Sequence, residues 1–388
     1  MTAKTLDDTV LTAPGFEPVR EEFERLLAAD DTFAGQFCAY AGGRIVADLW
    51  GGEGVGPDDL QGVFSSTKGA AAVCVALLVQ RGVLDLDAPV ARYWPEFAQA
   101  GKEAVTVRQA LSHQAGLVGV EPQLTLEESM RHETMAARLA VQVPHWRPGA
   151  AHGYHALTIG TIIDELTRRI TGMPVARMFR EEIAQPRGVD FHIATPDDLE
   201  PRVKPILPLR LTPEQRAEGQ AGLPAPDSLT GLALNAAVAR SSAEPLVNLR
   251  PVRAAGQPAV SGTGSARGLA RLYATCIAEV DGNPRLLSPE TVETVTQLQT
   301  VGPDLVLMGF ETRFAIVFEK ATDRLWIGSH RAFGHDGAGG AIGVADPWHD
   351  LAYAWIPRRM TFPGGADERG LALARTVRAC LAARRAGP

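Results

Sequence analysis

No G-x-S-x-G occurs in the sequence, so the nucleophile elbow of the α/β-hydrolases is missing. No G-x-x-x-x-G-K occurs either, which removes the phosphate loop. The four cysteines, Cys38, Cys74, Cys276 and Cys380, are scattered with no C-x-x-C. They read as free buried thiols in a reducing compartment, not as a disulfide framework. No stretch approaches about 18 uninterrupted apolar residues, so no membrane span is expected. The opening "MTAKTLDDTVLTAPGFEPVR" lacks a basic segment followed by an apolar one, so no signal peptide is expected, and the setting is read as cytoplasmic. There is no long run of like charge, and the formal net charge is -7, which argues against nucleic acid and anionic membranes as partners.

What is there is an ordinary globular composition: 388 residues, 45% hydrophobic and 21% charged, enough for a large core in one big domain or two lobes. Phe16, Val19, Phe23, Leu26 and Leu27 fall on one helical face. Two apolar runs flank Gly42-Gly43 as a hairpin. An apolar helix follows around Ser65 and ends near Arg81-Gly82 with a glycine cap. From Leu126 to Ala184 the pattern is mostly helical, interrupted by the loop "PHWRPGAAHGYH". Pro196 to Pro258, rich in Pro, Gly and Ala, reads as loops and short helices. "TRFAIVFEK", "RLWIGSHRAFGHDGAGGAIGVADP" and "DLAYAWIP" read as consecutive antiparallel strands, and a helix closes the chain. The expected class is α+β. Residues 1–85 and 255–388 make a lobe with an antiparallel sheet flanked by helices, residues 86–254 make a mainly helical lobe with long loops, and the site lies between them.

The chemistry narrows by elimination. "HETMA" at His132 lacks the second histidine of a zinc-protease helix, and His152 with His155 finds no third or fourth ligand at sensible spacing. The glycines from Gly262 to Gly268 do not fit the dinucleotide fingerprint. Ser65 and Lys68 remain. Three residues apart at the start of a helix, they share a face about 5–6 Å apart at Cβ. A serine hydroxyl needs a base within hydrogen-bond reach. A desolvated lysine at a helix N-terminus loses basicity and can serve, while the free amides there can hold an oxyanion. S-x-x-K alone is common, and taken by itself the pair reads as an N-cap serine beside a surface lysine.

Five ordered stretches bear on that choice: "FSSTKG" at 64–69, "GVLDLDAPVARYWPEF" at 82–97, "VTVRQALSHQAGL" at 105–117, "WRPG" with "YHALTIG" at 146–160, and "GHDGAGG" at 334–340. Together they resemble serine β-lactamases and penicillin-binding proteins, most of all the family VIII carboxylesterases built on the class C β-lactamase fold. The resemblance covers most of the chain outside roughly 185–255. It implies a β-lactamase-like fold, Ser65 as nucleophile, Lys68 as its base, and Tyr154 as proton carrier with its phenol made more acidic by the Lys68 ammonium. It also implies oxyanion donors at the Ser65 and Ala338 amides, and substrate contacts at His335 and Gly337. Two positions depart from the family pattern: Ala156 stands where a substrate-holding amide is usual, and His335 where a lysine is usual. Both departures point to small uncharged esters over β-lactams.

The expectation is therefore a serine carboxylesterase working through an acyl-enzyme, with no metal or organic cofactor and a small-molecule ester as partner. An acyltransferase, a D-amino-acid peptidase or amidase, a weak β-lactamase, and a non-catalytic penicillin-binding-like scaffold are the alternatives. Ser66 is the next serine if Ser65 is not the nucleophile. Trp94 and Trp146 are expected to anchor packing, Trp146 at the edge of the acyl pocket. Asp85 and Asp87 are expected to cap a turn, and Ser112-His113 to be structural.

Overall fold

The computed structural model describes residues 11–221, 224–235 and 244–386. Residues 1–10 of the stretch read for a leader, and 222–223 and 236–243 of the Pro/Gly/Ala-rich segment, lie outside them. Strands β1 (Leu11–Thr12), β2 (Gly35–Ala41) and β3 (Arg44–Gly51) come from the start of the chain. The short strands β4 (Gln61–Gly62), β5 (Phe191–His192) and β6 (Thr263–Gly264) form a three-stranded sheet. Strands β7 (Thr300–Pro303) and β8 (Glu311–Phe314) form a two-stranded ribbon. Near the end of the chain, β9 (Phe333–Asp336), β10 (Ile342–Asp346) and β11 (Leu351–Pro357) join the first three in one six-stranded antiparallel sheet, ordered β1-β3-β2-β11-β10-β9.

Period-two patterning divides the residues of this sheet between two cores. Phe37, Leu49, Leu351, Tyr353 and Trp355 pack with Val19, Phe23 and Leu27 of α1 (Glu17–Ala29) and with Leu373 and Val377 of the helix Glu368–Ala386. Cys38, Tyr40, Ala352, Ala354 and Ile356 pack against the helix Ala266–Ile277 and α2 (Thr67–Gln80). The hairpin between β2 and β3 turns on Gly42 and Gly43 at φ 55° and 75°, which glycine adopts without steric cost. All four cysteines are free and buried.

Helix α2 is buried on every side from Thr67 to Leu78, as a helix apolar all round must be. It packs against the helix Thr158–Thr171 and β9, at the junction of the sheet with the helical segments. No helix among the described residues is long and apolar enough to cross a membrane.

The expected succession of strands from "TRFAIVFEK" onward is only half right. Strand β8 ends at Phe314, and residues 315–332 form no strand. Ile316 and Val317 are buried, but their amides donate to the Val295 and Leu111 carbonyls, and Val317 takes the left-handed φ of 65°. Ile316 and Val317 therefore bury against helical segments, and the backbone of the run meets the sheet at the single antiparallel bridge from Glu319 to Gly334 of β9.

Candidate active site

Ser65 lies two residues before α2, in a 3-10 turn spanning Phe64–Ser66. Phe64, just before it, has φ 50°, a strained value for a residue with a side chain, of the kind that collects at functional sites. The turn is tied down by its neighbours: Ser66 Oγ donates to the Ala341 carbonyl at 3.1 Å, and the Gly262 amide donates to Thr67 Oγ1 at 2.8 Å. Ser66 is fully buried, so only Ser65 of the two serines has any access to solvent.

Lys68 is completely buried, and its Nζ donates to Ser65 Oγ at 2.9 Å and to the Ala259 carbonyl at 3.0 Å. The helical spacing thus does bring serine and lysine together, and the surface-lysine reading fails. Burial brings the pKa of Lys68 down to about 7, against the opposing pull of the Glu319 and Asp336 carboxyls. A lysine in that range carries a substantial neutral fraction at pH 7 and can accept a proton.

Tyr154 is also buried, with its ring centroid 4.9 Å from Lys68 Nζ. Its ring stacks on Phe314 at 6.0 Å and 14°, and its amide donates to Asp304 Oδ1 at 3.0 Å. The sequence-based expectation of a more acidic phenol is overturned. Burial first, and the Glu319 carboxyl next, push Tyr154 well above the usual phenol range; the nearby Ser65 hydroxyl draws it only partway back. The physical reason is that a phenolate here would be a buried anion with the Glu319 and Asp336 carboxyls nearby. Tyr154 is a neutral phenol that can donate and relay a proton.

His335 sits on β9, at the edge of the large sheet, with Nδ1 2.8 Å from the Asp336 carbonyl and its ring 6.1 Å from that of Tyr154. It is 1% exposed, and burial first, then Lys68, bring its pKa down to about 3, so the imidazole is neutral. The ring lies buried beside Lys68 and Tyr154. Gly337 is required by close approach, since a Cβ there would lie 2.1 Å from the Val63 carbonyl oxygen. A Cβ on Gly339 would meet Ile206 Cδ1 at 2.7 Å and the Phe64 ring at 3.1 Å. Residues 337–339 thus lie on the Ser65 turn, and Ala338 is exposed at its lip. Ala156 is buried in an apolar cluster with Val118, Tyr154, Ala233 and Val306.

The histidines read as a metal pair do not converge. His155 is held by the Gly153 carbonyl on Nδ1 and the Leu117 amide on Nε2, whereas His152 Nε2 meets Thr312 Oγ1. Ser112 Oγ donates to the Arg108 carbonyl and His113 Nδ1 accepts from the His155 amide, so this pair is structural, as expected. Asp85 accepts from the Asp87 amide, which caps the turn. Three residues of the site went unnoticed in the sequence: Asp304, Glu319 and Asp336. Glu319 Oε2 accepts from the Asp336 amide at 2.8 Å and lies 3.6 Å from His335 Nδ1. Burial raises both carboxyls. Among the described residues, Glu319, His335 and Asp336 are the one set of such side chains, within 4.8 Å of one another, able to share a cation. Only Asp336 carried a local signal, as the neighbour of His335.

A sequence profile for the Beta-lactamase family matches residues 19–377. The chain is 33% identical over 371 residues to the Esterase/beta-lactamase LipL of Mycobacterium tuberculosis, spanning 90% of this chain and 82% of LipL. The structure of EstA from Arthrobacter nitroguajacolicus superposes with a TM-score of 0.89 at 44% identity, covering 96% of this chain and 98% of EstA. That of a family VIII carboxylesterase superposes with a TM-score of 0.84 at 31% identity, covering 97% and 100%.

Proposed function

The chain belongs to the Beta-lactamase family, and on that premise we propose that it is a serine carboxylesterase that cleaves small uncharged esters. The observation that carries this reading is the 2.9 Å contact between Ser65 Oγ and a fully buried Lys68. Ser65 Oγ attacks the ester carbonyl carbon and its proton passes to neutral Lys68. The carbonyl oxygen takes up negative charge, facing the amides of Ser65 and Ala338. As the C–O bond to the alcohol breaks, Tyr154 gives its phenolic proton to the departing oxygen and regains one from Lys68. Water then attacks the acyl group on Ser65, its proton returning through the same two side chains, and the acid leaves. The net charge of the buried centre is unchanged at each step, because the ammonium formed on Lys68 is balanced by the oxyanion until the proton is passed on through Tyr154.

The preference for uncharged esters over β-lactams rests on two positions. His335 is neutral and buried, so it offers no cation to a substrate carboxylate. Ala156 offers no amide and is packed inside an apolar cluster. A charge-assisted hydrogen bond contributes roughly 1.5–3 kcal/mol and a neutral one about 1. Lacking both, a β-lactam should fall about two to three decades in kcat/KM below the ester. The test compares p-nitrophenyl acetate or butyrate with nitrocefin on one preparation, with fluorophosphonate labelling of Ser65 alongside. Equal turnover of nitrocefin would replace the carboxylesterase reading with a β-lactamase one. Absence of both labelling and ester turnover would favour a non-catalytic scaffold.

A further inference from the structure

The loop 304–310 carries Leu305, Met308 and Phe310 exposed at 47%, 65% and 41%. Three large apolar side chains in water on one short loop are unusual for a protein surface and mark a contact surface. Their position is not incidental. Asp304, at the base of the loop, is completely buried, and its Oδ1 accepts from the amides of Val306 at 2.8 Å, Leu307 at 2.9 Å and Tyr154 at 3.0 Å. Oδ2 accepts from Thr312 Oγ1 at 3.1 Å. The loop closes on the same residue, the Asp304 amide donating to the Phe310 carbonyl and the Gly309 amide to the Asp304 carbonyl. One carboxylate therefore holds both the loop and the backbone of Tyr154.

The loop also seats against the segment leading to Tyr154. The Leu305 amide donates to the His152 carbonyl at 3.2 Å. A Cβ built on Gly153 would meet the Trp146 ring at 2.9 Å, Val306 Cγ2 at 3.0 Å and Leu305 Cβ at 3.4 Å. Trp146, Val306 and Leu305 thus converge on the residue before Tyr154, while Val306 is buried in the cluster that contains the Tyr154 ring. Phe310 is capped by the Arg324 guanidinium, 3.8 Å from the ring centroid, which leaves Leu305 and Met308 as the uncovered apolar groups.

We propose that loop 304–310 is the apolar wall that takes the hydrocarbon portion of the ester, and that Asp304 is the positioning residue that locks this wall to Tyr154. The proposal rests on the carboxylesterase reading and adds to it the part of the substrate that is recognised. Continuity points to the occupant: Leu305 abuts Gly153, the residue before Tyr154, and Val306 shares the apolar cluster of the Tyr154 ring, so the loop adjoins the side chain that flanks Ser65. Each methylene reaching the wall should gain up to about fourfold in kcat/KM, the equivalent of burying one CH₂.

The experiment measures kcat and KM for p-nitrophenyl acetate, butyrate and hexanoate with the wild type, Leu305→Ser, Met308→Ser, Asp304→Ala and Asp304→Asn. The wild type should favour hexanoate over acetate, and the two serine variants should bring that ratio toward one. Asp304→Ala should lower kcat at least tenfold and flatten the ratio as well. Asp304→Asn keeps an acceptor oxygen and should recover most of both. A role in folding alone would lower the melting temperature without changing the ratio. A chain-length preference untouched in Leu305→Ser and Met308→Ser would overturn the proposal while leaving the esterase reading standing. So would a change confined to oligomeric state, which would make the loop a contact between copies of the chain. A wild type that cleaves none of the esters and takes no fluorophosphonate label would remove both readings.

Discussion

Replacing Lys68 with methionine should abolish ester hydrolysis and yet stabilise the fold, by an amount that depends on pH. Lys68 loses its proton at about 7 in the folded protein, against 10.5 for the free side chain. Between those values the unfolded chain binds the extra proton, so the wild type gains stability as pH rises. Below about 7 both states bind it, and the cost of burying the group is complete and constant. At 1.36 kcal/mol per pH unit, that cost is about 4 kcal/mol at pH 7 and about 2 kcal/mol at pH 9. Methionine fills nearly the same volume without a charge to desolvate. It also leaves the Ala259 carbonyl without its Lys68 donor, which costs roughly 1–3 kcal/mol at every pH. The net stabilisation at pH 7 should therefore be about 1–3 kcal/mol, and it should shrink by about 2 kcal/mol on going to pH 9. Urea unfolding followed by circular dichroism at the two pH values reads both quantities. A stability difference with the same value at pH 7 and pH 9 would refute the premise that burial holds this lysine near neutrality.

The same group governs the pH profile of activity. The kcat/KM for p-nitrophenyl acetate should fall tenfold per unit below about pH 7 as Lys68 takes up a proton, and His335, held near 3, should contribute no limb between pH 5 and 9; an acid limb that persists unchanged in Glu319→Gln and Lys68→Arg would assign it elsewhere. Ser65→Ala should lower hydrolysis by roughly six decades, as removal of a nucleophile from a cooperating unit does, with the circular dichroism spectrum unchanged. Tyr154→Phe should slow turnover by roughly 10²–10⁴, the usual worth of a positioned acid or base, and a smaller loss with a good leaving group such as p-nitrophenol than with a simple alkyl ester would identify its step as leaving-group protonation. Gly337→Ala should place a Cβ against the Val63 carbonyl and move the strand off the Ser65 turn, lowering both the fluorophosphonate labelling rate and the melting temperature.

How far the chain could be read in advance differs from element to element. Helix α1, the hairpin at Gly42-Gly43 and the glycine closing α2 follow from local physics: a 3.6-residue apolar period, two residues that accept positive φ, and a cap without a Cβ. The pairing of Ser65 with Lys68 is equally local, because three residues on a helical path fix where two side chains can meet. Residues 315–332 were misread for the opposite reason. Their β-like apolar pattern is real, but the amides of Ile316 and Val317 find the carbonyls of Val295 and Leu111, which no window of sequence around them contains.

The candidate site divides along the same line. Residue types and spacing picked out the Ser65–Lys68 pair and the glycines that let a strand approach a cleft, and the family resemblance added Tyr154. Protonation states belonged to the tertiary structure, because a pKa is set by what excludes water and by charges brought from elsewhere in the chain. Lys68 comes near 7 because α2 is buried on every side, and Tyr154 is pushed well above the usual phenol range by burial first and by Glu319, 165 residues on, next. Asp304 had no local signature; its meaning lies in one carboxylate reaching the amide of Tyr154 across 150 residues of chain, a contact made by folding alone.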